Sequence, residues 1–260
     1  MKDCFALRFQ LNKSGYNTPE NTELFAGMFG EDVNFLEECL CDYDSYKKQA
    51  LSEIISQSEL EILRKKFDGK KMLFMGDSIT SDRLSYHKLL ELAFPGQVFD
   101  GAISGYRSAN VLNDIEKYLE GLKPDIVSVF IGTNDSSVCD RKSMCTTVSI
   151  DEYRRNLLLI AQQITESGAK LILNTFPPCF TSNDDNDADF HRKLNAVKAD
   201  FNKAVKETAE KTGAVLNDLN AVFDMEHLDG MFEPDGGHPS PYAHKLMAKE
   251  YLNLLKQIRL

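Results

Sequence analysis

No tryptophan occurs among the 260 residues. The side chain that stacks best on a sugar ring is therefore absent, and Tyr106, Phe180 and Tyr242 are the aromatic residues that could stack in its place. No run approaches the ~20 apolar residues that a membrane-spanning helix needs. Basic charge is in deficit: 30 Lys and Arg against 40 Asp and Glu give a formal net charge of −10. That balance argues against a general nucleic-acid or anionic-membrane surface, which needs a basic face, and leaves an uncharged substrate open. The start of the chain lacks the pattern of an export signal, since Arg8 and Gln10 interrupt any apolar stretch, and a cytoplasmic protein is expected. The six cysteines, Cys4, Cys39, Cys41, Cys139, Cys145 and Cys179, are accordingly read as free thiols. No histidine stands close to Cys39-Leu40-Cys41, so no zinc site is expected there. The 42% hydrophobic and 27% charged fractions describe an ordinary globular chain of one or two domains.

What is present is a rhythm that begins near residue 70. Short apolar runs occur at Lys71-Met72-Leu73-Phe74-Met75, at Gln97-Val98-Phe99-Asp100 and at Ile126-Val127-Ser128-Val129-Phe130-Ile131. Two more follow at Leu171-Ile172-Leu173 and Ala214-Val215-Leu216. They have strand length and no polar face, as buried parallel strands do. Helical patterns separate them, from Arg83 to Leu92, Ala109 to Leu122, Tyr153 to Ser167 and Phe190 to Lys211. Ser149 and Glu152 read as a capping box, the serine accepting from the third backbone N–H and the glutamate reaching back. Ser240-Pro241 places an N-cap before a proline in the first helical position and opens a last helix to about Ile258. Five strands alternating with helices predict an α/β fold, a parallel sheet covered on both faces. Ligands of such sheets lie outside the carboxyl ends of the strands.

Residues 1–69 do not share this rhythm and are read as an N-terminal extension to a unit spanning 70–260. Phe5, Leu7, Phe9 and Leu11 alternate with Ala6, Arg8 and Gln10, which predicts one half-buried strand. A polar turn follows at Asn12-Lys13-Ser14-Gly15, and Phe35 to Lys66 is expected to be mostly helical. Two roles for the extension stay open, a homodimer contact and a lid.

Four segments fall just beyond strand ends or before the last helix. Gly76-Asp77-Ser78-Ile79 can project a hydroxyl at the sheet edge, beside a helix N-terminus that favours negative charge. Gly105, in Gly101-Ala102-Ile103-Ser104-Gly105-Tyr106, lets backbone approach a ligand closely. Asn134, in Gly132-Thr133-Asn134-Asp135, offers an amide that can donate to an oxyanion. Asp235-Gly236-Gly237-His238 can fold a carboxylate back onto an imidazole, fixing its tautomer and leaving the other nitrogen as a base. A competing pair with the same spacing, Asp224 and His227, lacks the glycines and reads as a surface feature. Each segment alone reads as a turn. Together they supply a nucleophile, donors, an acid and a base.

The set resembles the SGNH, or GDSL-type, hydrolase superfamily over roughly residues 70 to 260. The resemblance implies a three-layer α/β/α, flavodoxin-like fold with a five-stranded parallel sheet in the order 2-1-3-4-5. It implies Ser78 as nucleophile, His238 as base and Asp235 as its partner. The Ser78 and Gly105 N–H groups and the Asn134 amide would form the oxyanion hole, with no metal and no cofactor. Ile79 stands where the motif has Leu, and Ala243 where many relatives have Gly.

The activity expected is hydrolysis of a small soluble ester, an O-acetylated carbohydrate being one candidate. Longer-chain lipase or thioesterase chemistry, acyl transfer and a flavodoxin-like binding module remain alternatives. No G-x-G-x-x-G or G-x-x-x-x-G-K-[ST] loop is present, which weakens nucleotide binding. The run Asp184-Asp185-Asn186-Asp187-Ala188-Asp189 could suggest calcium. An EF-hand register from Asp185, however, puts Phe190 at the glycine position and Ala196 at the glutamate position, and an acidic helix start fits better. Phe176-Pro177-Pro178-Cys179-Phe180 reads equally as an acyl-pocket wall or a packed loop.

Overall fold

The computed structural model describes residues 1–9, 22–179, 188–224 and 227–259. Seven strands occur among them. β1 (Met72–Gly76), β2 (Val98–Asp100), β3 (Ile126–Phe130), β6 (Lys170–Asn174) and β7 (Val215–Asn217) form one sheet, and β4 (Val138–Asp140) and β5 (Cys145–Thr146) a separate hairpin. Every pairing in the main sheet is parallel and the order is β2-β1-β3-β6-β7. With the hairpin set aside this is the expected 2-1-3-4-5 order. All five residues of β1 and all five of β3 are buried, which accounts for their unbroken apolar sequence.

The connecting helices are α5 (Ser78–Ser81), α6 (Tyr86–Ala93), α7 (Ser108–Leu122), α8 (Ile150–Glu166), α9 (Ala188–Thr212) and α10 (Pro241–Gln257). α7, α8 and α9 pack side by side, and α6 packs with α10. Right-handed crossovers send these two groups to opposite faces of the sheet, giving three layers. Helix α6 begins later than the sequence pattern suggests, because Ser85 is its N-cap, accepting from Lys88 N at 3.3 Å. The box at α8 is half made. Ser149 Oγ accepts from Glu152 N at 3.2 Å, but the Glu152 carboxylate turns to Arg155 one turn on, at 2.7 and 3.0 Å. At α10, Ser240 caps Ala243 N with Pro241 opening the helix, as its sequence requires.

The described residues among the first 70 hold four helices, α1 (Phe5–Phe9), α2 (Thr22–Phe29), α3 (Val33–Ile54) and α4 (Gln57–Lys66). The strand expected at Phe5–Leu11 is not formed over its described part; residues 5–9 are helical. Cys4, Leu7 and Arg8 share the buried face at 7, 2 and 0% exposure, while Phe5 is 40% exposed. That is a spacing of three and four, not two. The alternating reading placed Arg8 in solvent, whereas ion pairing lets it sit in the interior. Residues 10–21, including the proposed polar turn, lie outside the described residues. Ala50, Leu51, Ile55, Leu60, Leu63 and Phe67 belong to the main core, and Cys4, Leu7, Phe25, Leu36, Cys39 and Tyr43 form a smaller cluster that includes Leu84. Among the described residues no helix is long and apolar enough to cross a membrane.

Candidate active site

The parallel order brings the ends of β1, β2 and β3 to one edge, with the loop before α10 beside them. Ser78 opens α5 directly after β1, and the turn is tight. A Cβ on Gly76 would lie 2.4 Å from Thr80 Oγ1 and 2.9 Å from the Phe130 carbonyl oxygen. Asp77 caps the helix, its Oδ1 accepting from Ile79 N at 3.0 Å. Ser78 Oγ lies 2.8 Å from His238 Nε2, and His238 Nδ1 lies 2.5 Å from Asp235 Oδ2. Asp235 Oδ1 accepts from Gly237 N at 2.9 Å and His238 N at 3.0 Å. Partial burial opposes the Asp235 charge. The hydrogen bonds from the His238 side chain and from both backbone amides outweigh it and bring the carboxyl down to about 2. The loop itself is closed by Glu233 N donating to the His238 carbonyl at 2.8 Å and Ser240 N to Met231 O at 2.9 Å.

The competing pair has similar local geometry, His227 Nδ1 lying 2.8 Å from Asp224 Oδ2. Its side chains are 78% and 63% exposed, and the pair is a surface feature, as its sequence suggested. What separates the two pairs is the serine at His238 Nε2.

Gly105 adopts φ +83, a left-handed conformation that favours glycine. Among the described residues no protein acceptor takes the Ser78 or Gly105 backbone N–H. Asn134 Nδ2 donates to the Tyr106 carbonyl at 2.9 Å. An amide nitrogen carries two hydrogens, so this bond orients Asn134 beside the Gly105 turn and leaves a second N–H to donate.

Several supporting residues carried no sequence signal of their role. Asp135 is buried and accepts from Ser108 N with both oxygens at 3.0 Å and from Ser108 Oγ at 2.5 Å. Asn156 Nδ2 donates to the same hydroxyl at 3.0 Å. The third segment is thereby tied to the N-terminus of α7 and to α8. Burial is the main reason the Asp135 carboxyl is pushed up, against the Ser108 bonds that lower it. Phe176, Pro177 and Pro178 are buried and Asn202 bonds the backbone of Phe176 through both amide atoms, which makes this stretch a packed loop. Phe180 and the acidic positions 184–187 lie outside the described residues; Asp189, at the helix start, pairs with Arg192 and Lys193. A cavity of about 520 Å³ between α3 and α6, lined by Tyr43, Lys47, Lys88 and Asp100 among others, contains none of the four segments.

Asp77 gives a test independent of catalysis. It is fully buried, its Oδ2 has no hydrogen-bond partner, and burial pushes its carboxyl from 3.8 up to about 6. A raised carboxyl binds its proton more tightly in the folded state. Folding therefore loses stability as pH rises from about 4 to about 6, and the loss persists above that. Asp77→Asn should remove this dependence. Its stability relative to the parent should increase by about 3 kcal/mol between pH 4 and pH 8, read from urea unfolding at both pH values.

A hydroxyl, imidazole and carboxylate in series, beside unpaired N–H donors at the edge of a parallel sheet, is the equipment of a carboxylic ester hydrolase. Residues 74–246 match the model of the GDSL-like lipase/acylhydrolase family, and the chain belongs to that family. No curated protein sequence matches the chain. Among solved structures, it is similar to Axe2, an acetylxylan esterase from Geobacillus stearothermophilus, at 25% identity and TM-score 0.58, over 72% of this chain and 94% of that one. LAE5, an alpha/beta hydrolase enzyme from the metagenome of Lake Arreo, Spain, shares 23% identity at TM-score 0.60, over 74% of this chain and 97% of that one. TesA shares 22% identity at TM-score 0.57, over 72% and 99%. The last two show the fold.

Proposed function

We propose that the protein hydrolyses a small ester, with an O-acetylated carbohydrate as the leading substrate class, through a Ser78-His238-Asp235 triad and an acyl-enzyme. The observation that carries this reading is the 2.8 Å approach of His238 Nε2 to Ser78 Oγ, with Asp235 on the opposite ring nitrogen. Ser78 Oγ attacks the ester carbonyl while His238 takes its proton. The oxyanion is held by the Ser78 and Gly105 N–H groups and the free Asn134 N–H, each donor contributing about 3–4 kcal/mol to the barrier reduction. His238 then protonates the leaving alkoxide, and water repeats the cycle on the acyl group. The likeness to an acetylxylan esterase supports the acetyl preference. Tyr242, 50% exposed at the start of α10, and the half-buried Tyr106 are aromatic faces on which a sugar ring could stack.

A fluorophosphonate should label the enzyme once, at Ser78, as found by peptide mass spectrometry. Acetylated xylo-oligosaccharides should release acetate faster than nitrophenyl octanoate is cleaved. Label elsewhere, or none, would overturn the triad. Preference for the octanoate would shift the assignment to a lipase or thioesterase, and ester formation with an added alcohol would shift it to acyl transfer.

A further inference from the structure

Residues 1–9 precede the family match, which begins at residue 74, yet they lie against the candidate active site. Arg8 is completely buried, and all three guanidinium nitrogens are engaged. Nε and Nη2 grip Asp82 at 3.1 and 2.7 Å, and Nη1 reaches Glu233 at 2.6 Å and Asp3 at 3.1 Å. Asp82 is the C-cap of the short helix that Ser78 begins, its N–H donating to the Ser78 carbonyl at 3.0 Å. Glu233 is the residue whose backbone N–H closes the loop onto His238. One planar cation therefore spans the turn that carries the serine and the loop that carries the imidazole. A forked guanidinium fixes direction as well as distance, which an ammonium does not.

The same helix places Phe5 edge-on to the His238 ring, with centroids 6.0 Å apart and planes at 83°. The segment is held from behind. Tyr43 of α3 accepts from Cys4 N at 2.9 Å and donates to Asp3 Oδ1 at 2.5 Å, and Arg83 Nε donates to Leu7 O at 3.1 Å.

We propose that this N-terminal segment is a working part of the active site: Arg8 is a positioning residue that holds Ser78 and His238 at reacting distance, and Phe5 is the wall beside His238 that limits substrate size. The proposal rests on the reading of Ser78 and His238 as nucleophile and base. A misplacement on the order of 1 Å costs about 100-fold in rate, so loss of the brace should appear in kcat.

Full-length wild type, Arg8→Lys, Glu233→Ala and Phe5→Ala are compared on nitrophenyl acetate and octanoate. Each preparation is titrated with a fluorophosphonate and melted thermally. Arg8→Lys and Glu233→Ala should lower kcat by about 10- to 100-fold with KM within about twofold, and should slow labelling of Ser78 in parallel. Phe5→Ala should raise the octanoate-to-acetate ratio of kcat/KM by about tenfold. Glu233 is partly exposed and decides the brace even if Arg8→Lys does not fold. A Glu233→Ala enzyme that melts lower but keeps wild-type kcat per labelled serine overturns the positioning role. An unchanged ratio in Phe5→Ala overturns the wall. Failure of wild type to label at Ser78 removes the underlying reading instead, and is seen before any variant is compared.

Discussion

Ser78→Ala should lower kcat for ester hydrolysis by about 10⁶-fold, leaving a residual rate about 10³–10⁴ above that in water. The substitution removes the attacking oxygen and nothing else of the proposed machinery. An alanine at 78 retains its backbone N–H, and the Gly105 N–H and Asn134 amide are untouched, so binding and oxyanion stabilisation survive. The fold should survive as well. Ser78 is half-buried and its hydroxyl makes one hydrogen bond, to His238, worth about 1 kcal/mol net. The capping of α5 depends on Asp77, not on this hydroxyl. Residues that act as one unit are not additive, so Ser78→Ala combined with His238→Ala should be no slower than Ser78→Ala alone. Steady-state rates, with burst amplitudes to exclude wild-type contamination, check both expectations. A single variant that retains even a tenth of the activity would mean that another group attacks the carbonyl.

The sheet was legible because its central strands are buried on both faces and so carry unbroken apolar runs, and because Ser149 and Ser240 punctuate the helices chemically; the Ser85 cap was passed over, and the helix it opens was started too early. The four candidate segments were legible because each lies next to a strand end or a capped helix, where position alone implies a shared edge. The distinction between His238 and His227 followed from the glycines, which let the loop fold back, and from the capped helix that follows it. What stayed hidden depends on contacts across the chain. Asp135 finds Ser108 only after β3 and the start of α7 are side by side. Arg8 was misread because a period-two pattern assumes that a charged side chain faces water. Its carboxylate partners at 82 and 233 are remote in sequence and invisible to any local rule. Once they are present, burial is tolerated and a helical turn becomes the better solution. The Asp82 carboxyl records the same balance. Burial raises it, His244 and Arg8 overcome that, and it settles at about 2.

Asp235→Asn should lower kcat by about 10⁴-fold while leaving KM for a small ester within a few-fold. The reason lies in how the two carboxylate oxygens are used. Oδ1 accepts from two backbone N–H groups, those of Gly237 and His238, and this position requires an acceptor. An asparagine must keep its carbonyl oxygen there, which turns its NH₂ toward His238 Nδ1. That nitrogen must then accept, so the ring proton moves to Nε2, facing Ser78. An Nε2–H cannot take the serine proton, and the base is lost with the geometry intact. Nuclear magnetic resonance of nitrogen-labelled histidine should show the tautomer reversed in the folded variant. The carboxylate itself stays charged in any ordinary assay. Asp235 sits at about 2, below its ordinary 3.8, so its stabilising contribution is present above about 4 and fades only as pH falls through 2. Its charge is therefore constant across an assay from pH 5 to 9. An Asp235→Asn enzyme with near-normal kcat would mean that the carboxylate does not set the tautomer, and His238 would have to be oriented by some other group.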